Sequence, residues 1–445
     1  MECWIFVHIP LQNWDERWIS NYQRIFDAWE DGGVRGIVVG RLRLKQEDGS
    51  EIRPYAADPK VYRAFGVDPP EAECRNPEQE RVFRDILDNA AARGWHIMTF
   101  DAPGGGALPP EEDPYGVARF AAAAQDLARA LPQVQGVIVD GPGEQHYELA
   151  WHHGRELFEM GIKDQFAARG FDVDRLARGI AHLRQRFHEL TPDLVRYHAT
   201  GGMLAGLNLF DIDEDALYWL RSRQEQSLQS WQQARADLDK VDRYVELGAI
   251  PRITTFSSLT GHDYQQMPPY FDYIFPKHYY WHRGFDGMYG TIQRWVLKFT
   301  EWNPSLTEED GFQLIKSLFG LELPGVNTLI DLEMGFPEEF FTETVYNETR
   351  RALDAIKDVD KTIFWVSTGR FPHAGDPMTA RDLDGILKAT QAAGGERFLF
   401  HPDPNPGPSE WTVITNMCGN PWHQSRDGYW PPDANKPDEY NRDPT

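Results

Sequence analysis

The sequence predicts an α/β fold, a (β/α)8 TIM barrel with long rim insertions and an irregular C-terminal tail. Short runs of β-branched and aromatic residues recur along the chain, as in parallel strands covered on both faces. Amphipathic helical stretches separate many of them, and the alternation repeats often enough to favour a closed barrel over an open sheet. A dinucleotide-binding sheet is disfavoured, because Gly104, Gly105 and Gly106 lack the G-x-G-x-x-G order.

The strand-like runs, in order, are 4–8 (WIFVH), 34–39 (VRGIVV), 96–100 (HIMTF), 137–140 (VIVD), 253–256 (ITTF), 273–275 (YIF), 328–332 (TLIDL), 363–366 (IFWV) and 398–400 (FLF). That is one more than a barrel needs, and the closing strand is either 363–366 or 398–400. Helical stretches are 80–94, 115–131, 213–247, 343–358 and 380–395. In 213–247, Leu217, Leu220, Leu228, Trp231, Leu238, Val241 and Tyr244 fall mostly at three- and four-residue steps behind Asp213, a suitable N-cap. The stretch 380–395 ends in a glycine pair, as a helix stop should. Segments 41–78 and 145–213 read as insertions rising over one rim to shape a cleft. The expected division is a catalytic barrel over 1–402 and an extended tail over 403–445 packed on it, since the tail is rich in Pro, Asn and Asp.

Charge narrows the partners. Lys and Arg number 45 against 69 Asp and Glu, a net charge of −24, which repels nucleic acid and an anionic membrane face. Aromatic residues make up 13% of the chain and suit stacking on sugar rings as well as core filling. Cys3, Cys74 and Cys418 are odd in number and lack C-x-x-C spacing, so reduced thiols are expected. The N-terminus reads as a first strand without a basic leader, and no apolar run is long enough to span a bilayer. A cytoplasmic protein is expected.

In such a barrel the working residues stand at the C-terminal ends of strands. That filter selects His8, Arg41, Arg43, Asp101, Asp140 with Glu144, Ser257, Ser258, Lys277 with His278, Asp331 with Glu333, and Ser367 to Arg370. Two groups of carboxylates stand out, one in VIVDGPGEQHYE (137–148) and one in TLIDLEMG (328–335). Glycosidic hydrolysis needs two carboxyls, one to protonate the leaving oxygen and one to attack or to activate water. Glu144 and Glu333 can supply them. Asp101, His8, His146, Lys277, His278, Tyr280, Trp281, Asp331 and Trp365 are the expected sugar-binding groups, with Tyr279 and His282 in the same aromatic cluster.

Carboxylates after the fourth and seventh strands resemble the clan of retaining (β/α)8 glycoside hydrolases. The stretch TTFSSLTGHDYQQMPPYFDYIFPKHYYWHRG (254–284), with ALYWLRSRQEQS (216–227), is similar to glycoside-hydrolase-like barrels of uncharacterised activity. The resemblance implies Glu144 as acid/base and Glu333 as nucleophile. Gly143 stands where the clan usually has Asn, and the strand ends at Asp140, so Asp140 remains an alternative acid. Likewise either Asp331 or Glu333 can be the catalytic member of its pair.

Two other classes are weighed. His146, His152, His153, His198, His278 and His282 with the same carboxylates would suit a metal-dependent sugar isomerase or epimerase, but no metal-binding spacing is present. A barrel that binds carbohydrate without cleaving it is the third. The leading expectation is a glycoside hydrolase with no metal and no cofactor, acting on a carbohydrate substrate.

Overall fold

The computed structural model describes residues 1–40, 42, 44–45, 51–70, 76–100, 116–140, 166–240, 243–282, 287–367, 379–401 and 406–422. Its strands are β1 (Glu2–Val7), β2 (Val34–Gly40), β3 (Leu44–Lys45), β4 (Glu51–Ile52), β5 (His96–Phe100), β6 (Gly136–Asp140), β7 (Glu246–Ile250), β8 (Tyr273–Ile274), β9 (Lys277–His278), β10 (Phe364–Ser367) and β11 (Arg397–His401). β3 and β4 form a small antiparallel pair. The other nine make one parallel sheet in the order β8-β7-β6-β5-β2-β1-β11-β10-β9.

That order is open, where the sequence predicted a closed ring. β8 and β9 are nevertheless two pieces of one run interrupted at Phe275-Pro276. On one side Phe275 N donates to Ala249 O and Lys277 N to Pro251 O; on the other Ile363 N donates to Ile274 O and Trp365 N to Pro276 O. Both margins of the curled sheet therefore bond to the same short run. The result is a TIM-like barrel with an irregular seam at Pro276, a residue that has no N–H to give to a ladder.

Side chains alternate across the strands and sort into two cores. Trp4, Phe6, Val38, Met98, Ile138, Ile250, Phe275, Ile363, Trp365 and Leu399 fill the inside of the curl. Cys3, Ile5, Val7, Ile37, Val39, Val137, Phe364 and Phe398 face the helices instead. Gly36 leaves room for the Trp4 indole: a Cβ there would stand 2.6 Å from the ring.

Two expected strands are not strands. Residues 253–256 form a 3-10 turn, Thr254–Phe256, followed by a short helix, Ser257–Thr260. Beside β6, on the side away from β5, lies β7, ELGAI, whose first two residues were expected at the end of a long helix; that helix ends at Leu238. Residues 328–332 belong to a helix, Leu329–Glu333, opened by a reciprocal capping box between Thr328 and Asp331. The described part of the second insertion is helical and joins the outer layer rather than a rim. Its helix Val173–Phe187 packs along Glu214–Leu238, and Phe187 meets Trp295 and Phe299 edge-on. The tail begins with a helix, Pro408–Met417, anchored by buried Trp411 and Ile414, in place of the expected irregular chain. Among the described residues no helix is long and apolar enough to cross a membrane.

Candidate active site

Because the main strands are parallel, their C-terminal ends lie together at one mouth. The inward positions there follow from two-residue alternation: His8 beyond Phe6, Phe100 beyond Met98, Asp140 beyond Ile138, Lys277 and Tyr279 beyond Phe275, Ser367 beyond Trp365, and His401 beyond Leu399. Six strands, β1, β5, β6, β9, β10 and β11, thus place polar or aromatic groups where their hydrophobic runs stop.

The Asp140 Oδ1 and Lys277 Nζ atoms are 2.7 Å apart, and the lysine side chain is only 2% exposed. The ammonium stands 6.0 Å from the centre of the Tyr279 ring. Tyr279 in turn stacks on His282 at 4.4 Å, and its hydroxyl lies 3.4 Å from His401 Nδ1. His282 Nε2 is 2.9 Å from Ser367 Oγ. Below them Phe6 meets His401 at 4.3 Å and His8 at 5.5 Å, while Trp365 packs against Phe6, Phe100 and His401. Trp365 is 2% exposed, and its indole N–H has no partner among the described residues. The mouth thus joins an ion pair, three imidazoles, a phenol and an aromatic floor. Such a set can stack on a sugar ring, hydrogen-bond its hydroxyls and move protons.

Of the residues chosen from the sequence, His8, Asp140, Lys277, Tyr279, His282, Trp365 and Ser367 are brought to this mouth or its floor. His278 and Tyr280 are not, because they alternate outward into the layer between sheet and helices. The His278 ring lies 4.6 Å from Phe364, with Nδ1 3.4 Å from the Thr390 hydroxyl, and burial pushes its pKa from 6.5 down to about 3. Burial, with Glu348 and Tyr264 adding to it, holds the Tyr280 phenol well above its usual range. Trp281 packs on Phe336, Phe340 and Phe341 in the helical layer.

Asp331 and Glu333 leave the expected strand end as well. The Asp331 carboxylate accepts the Asn327 and Thr328 backbone N–H groups, which hold its pKa below the usual carboxylate range. Glu333 is exposed on the same short helix and accepts from the Tyr289 hydroxyl; its neighbour Met334 is 83% exposed. Glu144, Asp101 and His146 lie outside the described residues, as do Arg41 and Arg43. His401 was missed. Its signal was its place directly after the last apolar run, where the strand-end filter applies as it does to His8. Among the described residues no three or more His, Cys, Asp or Glu side chains form a group that could hold a metal ion.

No family model matches the chain, and no curated protein matches it. Several solved structures are similar. The glycoside hydrolase domain of PgaB (BpsB) from Bordetella bronchiseptica aligns over 93% of this chain and 99% of its own, at 11% identity and a TM-score of 0.45. A GH18 chitinase from Pseudoalteromonas aurantia aligns over 94% and 100%, at 9% identity and a TM-score of 0.40. A sugar phosphate isomerase/epimerase from Parabacteroides distasonis aligns over 94% and 92%, at 7% identity and a TM-score of 0.35. Likenesses this distant transfer no chemistry, which has to come from the mouth itself.

Proposed function

We propose that the chain is a glycoside hydrolase whose reaction takes place in the mouth at the C-terminal end of the parallel sheet. The observation that supports this reading is the inward Asp140 carboxylate, fixed by the buried Lys277 beside an aromatic floor of Phe100 and Trp365. Acetal hydrolysis breaks the bond from the anomeric carbon to the leaving oxygen. A carboxyl gives the leaving oxygen a proton, and water adds to the anomeric carbon and loses one. Asp140 uses Oδ1 for Lys277, so Oδ2 is the oxygen offered to water or to the developing positive charge of the sugar ring. Glu144, four residues further along the segment that leaves β6, is the proton donor in this proposal. Tyr279, His401 and His8 orient hydroxyls of the bound ring, and the Trp365 indole N–H supplies a donor at the floor. Glu333 has no part in the scheme.

The test is a panel of aryl glycosides and oligosaccharides assayed for released reducing ends, with and without a chelator. The wild-type chain cleaves at least one of them in chelator. Asp140→Asn and Glu144→Gln each lower kcat/KM by about a hundredfold or more, the usual weight of a positioned acid or base. Binding without cleavage overturns the proposal. So does aldose–ketose interconversion that dies in chelator and returns with a divalent cation.

A further inference from the structure

At the end of the barrel opposite the mouth, the first strand meets the helix Pro408–Met417. The Met1 ammonium donates to the Met417 carbonyl at 2.7 Å. Cys3 is fully buried on the helix-facing side of β1, opposite Val34 of β2. The residue before Val34 is Gly33, at φ +99°, and a Cβ there would stand 2.6 Å from Cys418 Cβ and 3.5 Å from its Sγ. Cys418 caps the helix and packs against Gly33, next to the strand partner of Cys3, whose own thiol donates to the Trp4 carbonyl at 3.3 Å. Two sulfurs from nearly opposite ends of the chain therefore share one pocket, far from each other in sequence and away from the proposed chemistry.

We propose that Cys3 and Cys418 are a modification site: a thiol pair that a small peroxide converts to an intramolecular disulfide, tying the first strand to the helix Pro408–Met417. Cys418 is the member that reacts first, because it is partly exposed whereas Cys3 is closed off. The neighbouring Cys3 thiol, with the N-terminal ammonium and Arg35 behind it, holds the Cys418 thiol below its ordinary pKa against the opposing effect of burial. Burial, with Cys418 next, holds the Cys3 thiol well above its own.

In the first step the Cys418 thiolate attacks a peroxide oxygen. The S–O bond forms, the O–O bond breaks, and hydroxide leaves. In the second, Cys3 sulfur attacks Cys418 sulfur: the S–S bond forms, the S–O bond breaks, and the hydroxyl leaves with the Cys3 proton as water. Two thiols give two electrons, and the peroxide becomes two waters. The link needs little movement of backbone, since Cys418 packs on Gly33, the residue before the Cys3 strand partner Val34. It closes nearly the whole chain into one loop, so it restricts the unfolded state strongly.

The experiment uses the full chain. Hydrogen peroxide is added, remaining thiols are blocked with an alkylating reagent, and peptides are mapped by mass spectrometry under non-reducing conditions. The expected result is that the three thiols present in the sequence fall to one, with Cys74 alkylated and the Cys3 and Cys418 peptides joined at a mass lower by two hydrogens. Thermal unfolding of the oxidised chain moves to higher temperature and reverts with a dithiol reductant; Cys418→Ser shows neither the link nor the shift. Alkylation of both Cys3 and Cys418 after peroxide is consumed overturns the proposal, as does a bond to Cys74 or between two chains. The wild-type map alone decides this, so the outcome does not depend on a variant folding.

Discussion

Replacing His278 by Phe tests which way the run through Pro276 faces. Read from the sequence, His278 is a sugar ligand; in the structure it is a buried core residue with a pKa of about 3. An unfolded histidine has a pKa near 6.5, so below that value the unfolded chain binds a proton that the native ring refuses. The stability tied to this ring is fully present above about pH 6.5 and is lost as the pH falls towards 3. By about pH 5 the loss amounts to ~2 kcal/mol, or roughly thirtyfold in the unfolding equilibrium. Phe retains the contact with Phe364 but leaves the Thr390 hydroxyl without Nδ1, a cost of about 1 kcal/mol at any pH. The wild type is therefore the more stable protein near pH 8, and the variant overtakes it near pH 5. Urea unfolding at three pH values measures the gap. A gap that stays constant with pH, or a large rise in KM at unchanged stability, would refute the outward placement.

Three further outcomes follow from particular contacts. Burial raises the pKa of Asp126, so its favourable contribution is present at acid pH and is lost as the pH rises through the folded value. Asp126→Asn retains an acceptor for the Asp58 N–H and is expected to raise the thermal midpoint near pH 7 but not near pH 4, measured by scanning fluorimetry. Glu333→Gln leaves kcat/KM unchanged, because the residue sits exposed on a short helix and not on a strand. Gly36→Ala forces a methyl against the Trp4 ring and costs about 1–3 kcal/mol by chemical denaturation.

Much of the barrel was legible because its strands are what doubly buried strands must be. WIFV, IVV, VIV and FWV are too apolar and too β-branched to lie anywhere else. β7 was not legible for the converse reason: ELGAI mixes helix formers with glycine and follows a long amphipathic helix, so nothing local marks where the helix stops. TLIDLE was misread although it carries its own correction. Thr328 and Asp331 at three-residue spacing are a capping box, which states a helix start more specifically than three apolar residues state a strand. The errors in the site came from parity. Ending the strand at Phe275 made 278–282 look like a loop cluster, whereas extended backbone continues through Pro276 to His278. Alternation then sends Lys277 and Tyr279 inward and His278 and Tyr280 outward. Among the described residues the candidate carboxylate that reaches the mouth is Asp140, found because the GPG break fixes where the strand ends.

The pair at the centre of the mouth has an asymmetry that stability measurements can expose separately from catalysis. Lys277 is 2% exposed and Asp140 33% exposed, so water can compensate the carboxylate far better than the ammonium. Removing one member of a buried ion pair costs up to about 3–5 kcal/mol when the charge left behind is fully enclosed, and less as solvent reaches it. Asp140→Asn, which takes a charged neighbour from the enclosed ammonium, is therefore expected to cost about 3 kcal/mol, and Lys277→Met only about 1 kcal/mol. In the double variant the two losses do not add, because both substitutions remove the same ion-pair contact. All three proteins should lose turnover, since the mechanism needs the carboxylate held in place as well as present. The cycle is measured by denaturant unfolding beside the reducing-end assay. If Lys277→Met proves the more costly change, the ammonium is supported chiefly by groups other than Asp140. The carboxylate then loses its claim to be the anchored base of the mouth, whatever the activity assay shows.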